Sequence, residues 1–506
     1  MRSLYARLNQ RFGVMAPAAE RRGEVQARVA RFQERFDAQI QFTAPRSGRH
    51  GSVVIVGAGF AGLMAASVLA QARFDVTVLE ARDRVGGRVW TRIDGDRRRA
   101  VEAGAELIGY NHPTWLSLAK KFGLGFLVLS SEEAFTALDL DGPLYLDGRL
   151  LSSKESEAVY DEMKAVVSSI CAEAAKIANP YECWKTADAE KLDGTKLSDW
   201  IAQQDCSPIT RRAFEVQFTN TNGAGTAKQS FLANLAAIRG GALHGQLDDY
   251  FTQSETIKCE QGNDMLAKKL GEELTRAGGK LHLNSPITKI QILKGRVIVT
   301  AAGKQIEADH AILAIPPSLW ADIEMDPPIP PEMRMSMGSA VKFLSPVKSR
   351  FWFGSGSSPN ATSEIFGVTW DGTDNQMQID GAPVELSLFA GGGAAELAVE
   401  LFDHDEKDVR TFFARELSKV YPEYHAELAS KPRFVCWPRD RWTKAGYSCP
   451  APGEVTRIGP FLRAPFHDRM HFAGEHCCLP FFGYMEGALQ SGADAAAAVI
   501  RSEGLA

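Results

Sequence analysis

Across the 506 residues there is no uninterrupted apolar run of about 18 residues, the length a helix needs to cross a bilayer, so a spanning segment is not expected. The chain also lacks an excess of either charge. Its formal net charge of −5 gives no general attraction to nucleic acid or to an anionic membrane, which leaves small molecules and further copies of the chain as expected partners. Cysteine is scarce and dispersed. The eight residues Cys171, Cys183, Cys206, Cys259, Cys436, Cys449, Cys477 and Cys478 form no CxxC and keep no company with clustered histidines, so no metal site is expected. A reduced, cytoplasmic setting is the simplest reading. The opening stretch to about residue 50 has no apolar core of a secretory signal and is read as neither leader nor anchor.

Within that stretch, Val25, Val29, Phe32 and Phe36 fall at helical spacing on an otherwise charged segment from Arg21 to Ile40. This predicts a helical arm with one apolar stripe, either packed on the body or pairing two copies. The C-terminal residues Asp494 to Ile500 are alanine-rich but too short to span a membrane.

The most informative segment follows the arm. Ser52-Val-Val-Ile-Val56 reads as a buried parallel strand, and Gly57-Ala-Gly59-Phe-Ala-Gly62 leads into a helix from Leu63 to Gln71. Strand, glycine turn and helix in this order form a dinucleotide site. Gly57 permits the tight turn, Gly59 lets backbone approach a diphosphate, and Gly62 lets helix and strand pack closely. The diphosphate would sit at the helix N-terminus, where free N–H groups and the helix dipole favour negative charge. A second strand, Asp75 to Leu79, ends at Glu80, where a carboxylate can meet the adenosine ribose. The loop Ala81-Arg-Asp-Arg84-Val-Gly86-Gly87-Arg88 then adds a second glycine turn and three arginines, including Arg82 and Arg88. Such a loop can return to the same diphosphate and continue to a flavin, which a nicotinamide site does not need.

Glu80 to Arg88 resembles the fingerprint of the flavin-containing amine oxidases, which include monoamine, polyamine and L-amino-acid oxidases. The likeness covers nearly all of the chain after the arm. It continues through Gly104-Ala-Glu-Leu-Ile-Gly109, Ala314-Ile-Pro-Pro317, Gly338-Ser-Ala-Val-Lys342 with Phe351-Trp352, Trp442 to Tyr447, Phe472-Ala-Gly-Glu-His476 and Gly483-Tyr-Met-Glu-Gly-Ala488. The resemblance implies an α/β fold of mixed α+β character in two domains, a Rossmann-type FAD domain and a mixed sheet and helix substrate domain, both discontinuous. The expected segments are 1–50 for the arm, 51–125, 256–333 and 434–506 for FAD binding, and 126–255 with 334–433 for substrate.

The chain's own pattern agrees with that division. Polar helical stretches such as Glu155 to Ala178 interrupt the αβ alternation, which resumes with a helix near Met265 to Ala277 and strands at Lys280 to Leu283 and Arg296 to Thr300. The strand Ala311 to Ile315 stops at Pro316-Pro317, where no N–H remains to continue a ladder. A mixed region runs from about Met335 to Lys431, and a final helix begins near Tyr484.

Chemical roles follow from the same resemblance. Tyr447 and Tyr484 match the two rings that face each other before the flavin and form a cage for the amine nitrogen. Lys342 matches the lysine that holds a water against flavin N5, and its apolar neighbours Val341 and Phe343 suit a buried position with a lowered pKa. Gly474, Glu475 and Met485 fall where the family wraps the ribityl chain and pyrimidine edge, and Ile287 where backbone meets adenine. His476 beside Glu475 is read as structural.

The implied reaction is hydride transfer from the amine α-carbon to flavin N5, hydrolysis of the imine to a carbonyl product, and reduction of O2 to H2O2. Two departures refine it. Gly446 stands where some monoamine oxidases attach FAD through cysteine, so non-covalent FAD is expected. Leu107 stands where amino-acid oxidases carry an arginine for the substrate carboxylate, which favours an amine without one. Arg239 could supply that charge from another loop, so L-amino-acid oxidation stays open. A dehydrogenase that passes electrons to a protein carrier, and a non-catalytic flavoprotein acting as an interaction module, also remain. The substrate pocket is expected around Phe218 to Phe231 and Ile365 to Trp370, and family habit implies a homodimer.

Overall fold

The computed structural model describes residues 3–13, 50–93, 99–242, 245–376 and 382–505. The expected arm helix from Arg21 to Ile40 lies outside the described residues. A helix Leu4–Phe12 precedes it and packs against the helices Ser153–Ala174 and Glu132–Thr136.

The glycine turn sits at the C-terminal edge of a five-stranded parallel sheet. Its strands run in the order Met470–Phe472, His310–Leu313, Ser52–Val56, Asp75–Leu79 and Lys280–His282. Val54 lies opposite Ala311 on one side and Thr77 on the other, so the first strand is central and reads as an unbroken apolar run. The strands come from parts of the chain hundreds of residues apart.

The helix Phe60–Gln71 that follows the turn is buried from Phe60 to Ala70, as a helix apolar on all sides must be. It is covered by the helix Asp264–Arg276 and the final helix Met485–Ser502. The final helix crosses closely because Gly492 has no side chain: a Cβ there would stand 2.2 Å from the Ala61 carbonyl oxygen.

A second, seven-stranded sheet is ordered Arg433–Cys436, Ala340–Val347, Val384–Gly391, Gly367–Asp371, Thr362–Ser363, Leu144–Leu146 and Arg149–Leu150. Directly opposed residues point to one face, so Lys342, Phe389, Val368 and Thr362 make one row across four strands. A helical layer completes this side. Ser153–Ala174 begins with a capping box in which Ser152 and Glu155 satisfy each other's backbone N–H, and Pro208–Asn222 starts with proline after Ser207 and stops at Gly223 with φ +67°.

The strand Arg296–Ala301 departs from the expectation that the αβ alternation resumes there. It pairs antiparallel with Ile287–Leu293 and Lys304–Ala308 in a separate four-stranded sheet. Its alternating burial is the reason: one face packs on the core and the other meets solvent, which a central parallel strand cannot do. The strand before Pro316 also ends earlier, at Leu313. Among the described residues no helix is long and apolar enough to cross a membrane.

Candidate active site

A cavity of about 610 Å³ runs from the glycine turn of the parallel sheet to the row of side chains on the seven-stranded sheet. Gly57 takes φ +100° and Gly87 φ +58°, conformations that admit glycine readily. Gly59 faces open space, with nothing within 4 Å of where its Cβ would be, whereas a Cβ on Gly62 would meet the Gly57 carbonyl oxygen at 2.0 Å. Gly59 therefore keeps room at the helix N-terminus, and Gly62 serves packing and does not line the cavity.

Glu80 is buried, accepts the N–H of Ala58 at 2.7 Å and of Arg82 at 2.9 Å, and lines the cavity. Burial raises its pKa, against those two N–H groups. The Arg82 guanidinium is bound to Asp440 and to Thr443 Oγ1 at 2.9 Å, which joins the second glycine loop to the segment before Tyr447. Arg88 donates to the Gly446 carbonyl at 2.9 Å and to Glu475 Oε1 at 2.8 Å. Ile287, Gly474, Glu475 and Met485 all line the same space.

Glu475 connects more than was expected of it. Its carboxylate accepts from Arg88, from the N–H and hydroxyl of Ser448, and from the N–H of Gly483. Burial pushes its pKa up, but Arg88, His476, Ser448 and Gly483 outweigh burial and hold it below the ordinary carboxylate value. His476, read from sequence as structural, instead lines the cavity with both ring nitrogens buried and without a protein partner. Burial pushes it down to about 4, so the ring is neutral near pH 7.

Tyr447 and Tyr484 line the cavity together with Lys342. The Tyr447 hydroxyl is shared between the carbonyls of Asn220 at 3.1 Å and Thr221 at 3.0 Å, at the end of the helix Pro208–Asn222. Its ring lies beside Gly483, where a Cβ would stand 2.9 Å from Cδ2. Tyr484 occupies the N-cap position of the final helix and packs edge-on to His112 at 5.3 Å between ring centroids. Burial raises both phenols well above the ordinary tyrosine value, so both rings stay neutral.

Lys342 is buried on the strand Ala340–Val347. Its ammonium donates to the Glu102 carbonyl at 2.7 Å and to Glu106 Oε2 at 2.8 Å, and lies 5.4 Å from the centre of the Trp370 ring. Trp370 donates its indole N–H to the other Glu106 oxygen at 3.1 Å. Glu106 went unassigned in the sequence although it sits inside the Gly104 to Gly109 segment; an acid amid small and apolar residues was the available signal. Leu107 lines the cavity. Arg239 does not line it: it donates to the Ile177 carbonyl at 3.1 Å, so it brings no charge to the pocket. Phe218 and Phe231 are core residues, and of that stretch Asn220 and Thr221 reach the cavity. Leu4, Gln217, Glu255 and Phe389 line it without having been expected.

Residues 60–500 match the sequence model of the family described as flavin containing amine oxidoreductase. The chain belongs to this family. A flavin-containing amine oxidase of Danio rerio is 25% identical over 475 residues, covering 89% of this chain and 86% of the relative. An L-amino acid dehydrogenase of Synechocystis is 27% identical over 473 residues, covering 88% and 94%. The solved structure of putrescine oxidase bound to putrescine superposes with a TM-score of 0.76 at 23% identity, over 89% of this chain and 99% of that one, and shows the shared fold.

This flavin-containing amine oxidoreductase is an enzyme whose cofactor is FAD, and its residues fit that group. The space left at Gly59, the uncapped start of the helix Phe60–Gln71, the buried Glu80 carboxylate and the two unpartnered nitrogens of His476 all face one cavity. Gly57, Gly59, Glu80, Gly87, Arg88 and the Gly474 to Met485 segment would hold it.

Proposed function

We propose that the chain is an FAD-dependent amine oxidase acting on an amine that carries no carboxylate. The observation that carries the reading is that Tyr447, Tyr484 and Lys342 share one cavity with the glycine turn. When bound, FAD would supply a two-electron acceptor for the α-carbon hydride as the amine loses an N–H proton to become an imine, and would pass those two electrons, with two protons, to O2 to give H2O2. Water would then hydrolyse the imine to the carbonyl product with ammonia or an amine.

The protein's own part is positional and electrostatic. The neutral cage rings offer partly negative faces to the substrate nitrogen and align its α-carbon. Lys342, held in place by Glu106, can hold and polarise a water or oxygen on its side of the cavity. The apolar Leu107 disfavours a substrate carboxylate, and Arg239 is directed elsewhere.

Gly446 supports non-covalent FAD, since it has no thiol and a Cβ there would stand 2.7 Å from Ala340 Cβ. The division into FAD-binding and substrate segments, as expected from sequence, is supported by a cavity whose walls come from both sheets. All eight cysteines are free, which supports a reducing compartment such as the cytoplasm.

The test is peroxide release from an amine panel and an L-amino-acid panel, paired with anaerobic bleaching of the flavin band. Amines should bleach the flavin and yield peroxide. Bleaching by amino acids alone overturns the substrate class, and the Synechocystis relative makes that the competing outcome. Bleaching without peroxide in air overturns the oxidase assignment.

A further inference from the structure

The helix Leu4–Phe12 is separated in sequence from every other element of the cavity, yet Leu4 is buried and lines the cavity with Tyr447, Tyr484 and Lys342. We infer that this N-terminal helix is the distal wall of the substrate pocket and that Leu4 sets how long a substrate tail the pocket accepts. This rests on the proposed reading of the cavity as an amine site.

The helix is fixed by contacts to residues that themselves line the cavity. Gln217 Oε1 accepts the Tyr5 N–H at 2.8 Å and the Ser3 hydroxyl at 3.2 Å. Arg7, 6% exposed, donates to the Asn360 carbonyl and to Thr362 Oγ1. Asn360 in turn donates to Glu132 Oε1 at 2.7 Å, and the Glu132 backbone N–H donates to Gln10 Oε1 at 3.0 Å. A buried guanidinium stripped of such partners is costly, so the helix is an integral part of the fold rather than a loosely resting end. Tyr160 adds a hydrogen bond to Asn9 Oδ1 at 2.6 Å, and the Tyr5 ring packs tilted against Tyr160 and edge-on to Phe251.

Two rulers relate this wall to the chemistry. Gln217 lies three residues before Asn220 on one helix, about 4.5 Å along its axis, and Asn220 holds the Tyr447 hydroxyl. Thr362 ends the cross-strand row that starts at Lys342, three strand spacings or about 14 Å away. Between them the floor is Phe389 and Val368, with Trp370 beside them. A substrate whose nitrogen sits between the tyrosines thus projects an apolar tail over this floor toward Leu4. Because the tail is remote from the reacting carbon, Leu4 should act on KM and leave kcat for short amines alone.

The experiment is a homologous series of straight-chain primary amines, from propylamine to decylamine, assayed with holoenzyme and with Leu4→Trp, Leu4→Ala and the volume-conserving Leu4→Met. Binding is also read by thermal shift with the same amines under anaerobic conditions, independently of turnover. Leu4→Trp should move the chain-length optimum to shorter amines, each displaced methylene raising KM about ten-fold, while kcat for propylamine holds. Leu4→Ala should move it to longer ones, and Leu4→Met should match the parent. Superimposable length profiles for all four proteins overturn the inference even if amines are oxidised throughout. A uniform loss of kcat at every chain length overturns it too, since Leu4 would then support folding or chemistry and not length. If Leu4→Trp does not fold, the Leu4→Ala profile decides. Failure of the parent to oxidise any amine would instead count against the proposed function.

Discussion

The backbone N–H of Gly483 donates to Glu475 Oε2 at 2.7 Å, one residue before Tyr484. The same carboxylate takes the N–H of Ser448 at 3.0 Å, one residue after Tyr447. One buried acid therefore ties the backbone beside Tyr447 to the backbone beside Tyr484, and Arg88 links it to the second glycine loop.

Glu475→Gln should weaken this clamp, because an amide presents a donor where Gly483 or Ser448 also donates, and the Arg88 charge loses its partner. A loss of about 1.5–3 kcal/mol, a charged hydrogen bond's worth, predicts roughly ten- to hundred-fold weaker FAD binding by flavin titration. Turnover of the refilled variant should also fall. Unchanged affinity and turnover would count against the clamp.

Lys342→Met should slow flavin reoxidation by O2 more than ten-fold while leaving anaerobic reduction by amine nearly intact, measured by stopped flow. It should also lower Tm, since the buried Glu106 carboxylate loses an ammonium at 2.8 Å and keeps that of Lys258 4.0 Å away. Lys342→Met with Glu106→Gln should recover much of the Tm but not the reoxidation rate. Equal slowing of both half-reactions would remove Lys342 from the oxygen step.

Tyr447→Phe keeps the ring and loses only the hydroxyl bond to the Asn220 and Thr221 carbonyls, worth about 1 kcal/mol. Its kcat/KM should stay within about ten-fold of the parent. Tyr447→Ala removes one cage wall, and about hundred-fold loss or more is expected from misplacement of the amine. Parity between the two variants would show that the ring does not position substrate.

Burial pulls the Glu102 carboxyl from the ordinary 4.5 up to about 7, with Glu106 adding and Asn263, Lys342 and Thr91 opposing. The folded chain thus holds this proton more tightly than the unfolded chain. Its contribution to stability is full below about pH 4.5 and is lost as pH rises to about 7, a change of about 3 kcal/mol. Glu102→Gln should flatten that part of the pH–stability curve in chemical denaturation. An unchanged curve would place the titration elsewhere.

Acid precipitation of the parent should release all its flavin, because Gly446 offers no thiol. Gly446→Cys should lower Tm, as its Cβ would crowd Ala340 at 2.7 Å from Cβ and 2.9 Å from N. Yellow colour retained on the denatured parent chain would refute non-covalent binding.

Much of the cofactor half was legible in the sequence because its constraints are local. A turn at φ +100° demands glycine at position 57, close packing of the helix on that turn demands glycine at 62, and an apolar run of four, Val53 to Val56, marks the central strand. The separate sheet around Arg296–Ala301 was less legible. A short alternating strand carries no sign of which sheet it will join.

Local chemistry also fixed the absence of a thiol at Gly446 and of a cation at Leu107, since each is a property of one residue in a recognisable segment. Tertiary structure alone decided that Glu106 binds Lys342 across 236 residues, that Arg239 faces Ile177, that Arg7 meets Thr362 across 355 residues, and that Leu4 lines the cavity. The reason is physical: a pair's partner is chosen by which buried charges and apolar surfaces meet when the sheets and helices pack, and that choice is distributed over the whole chain.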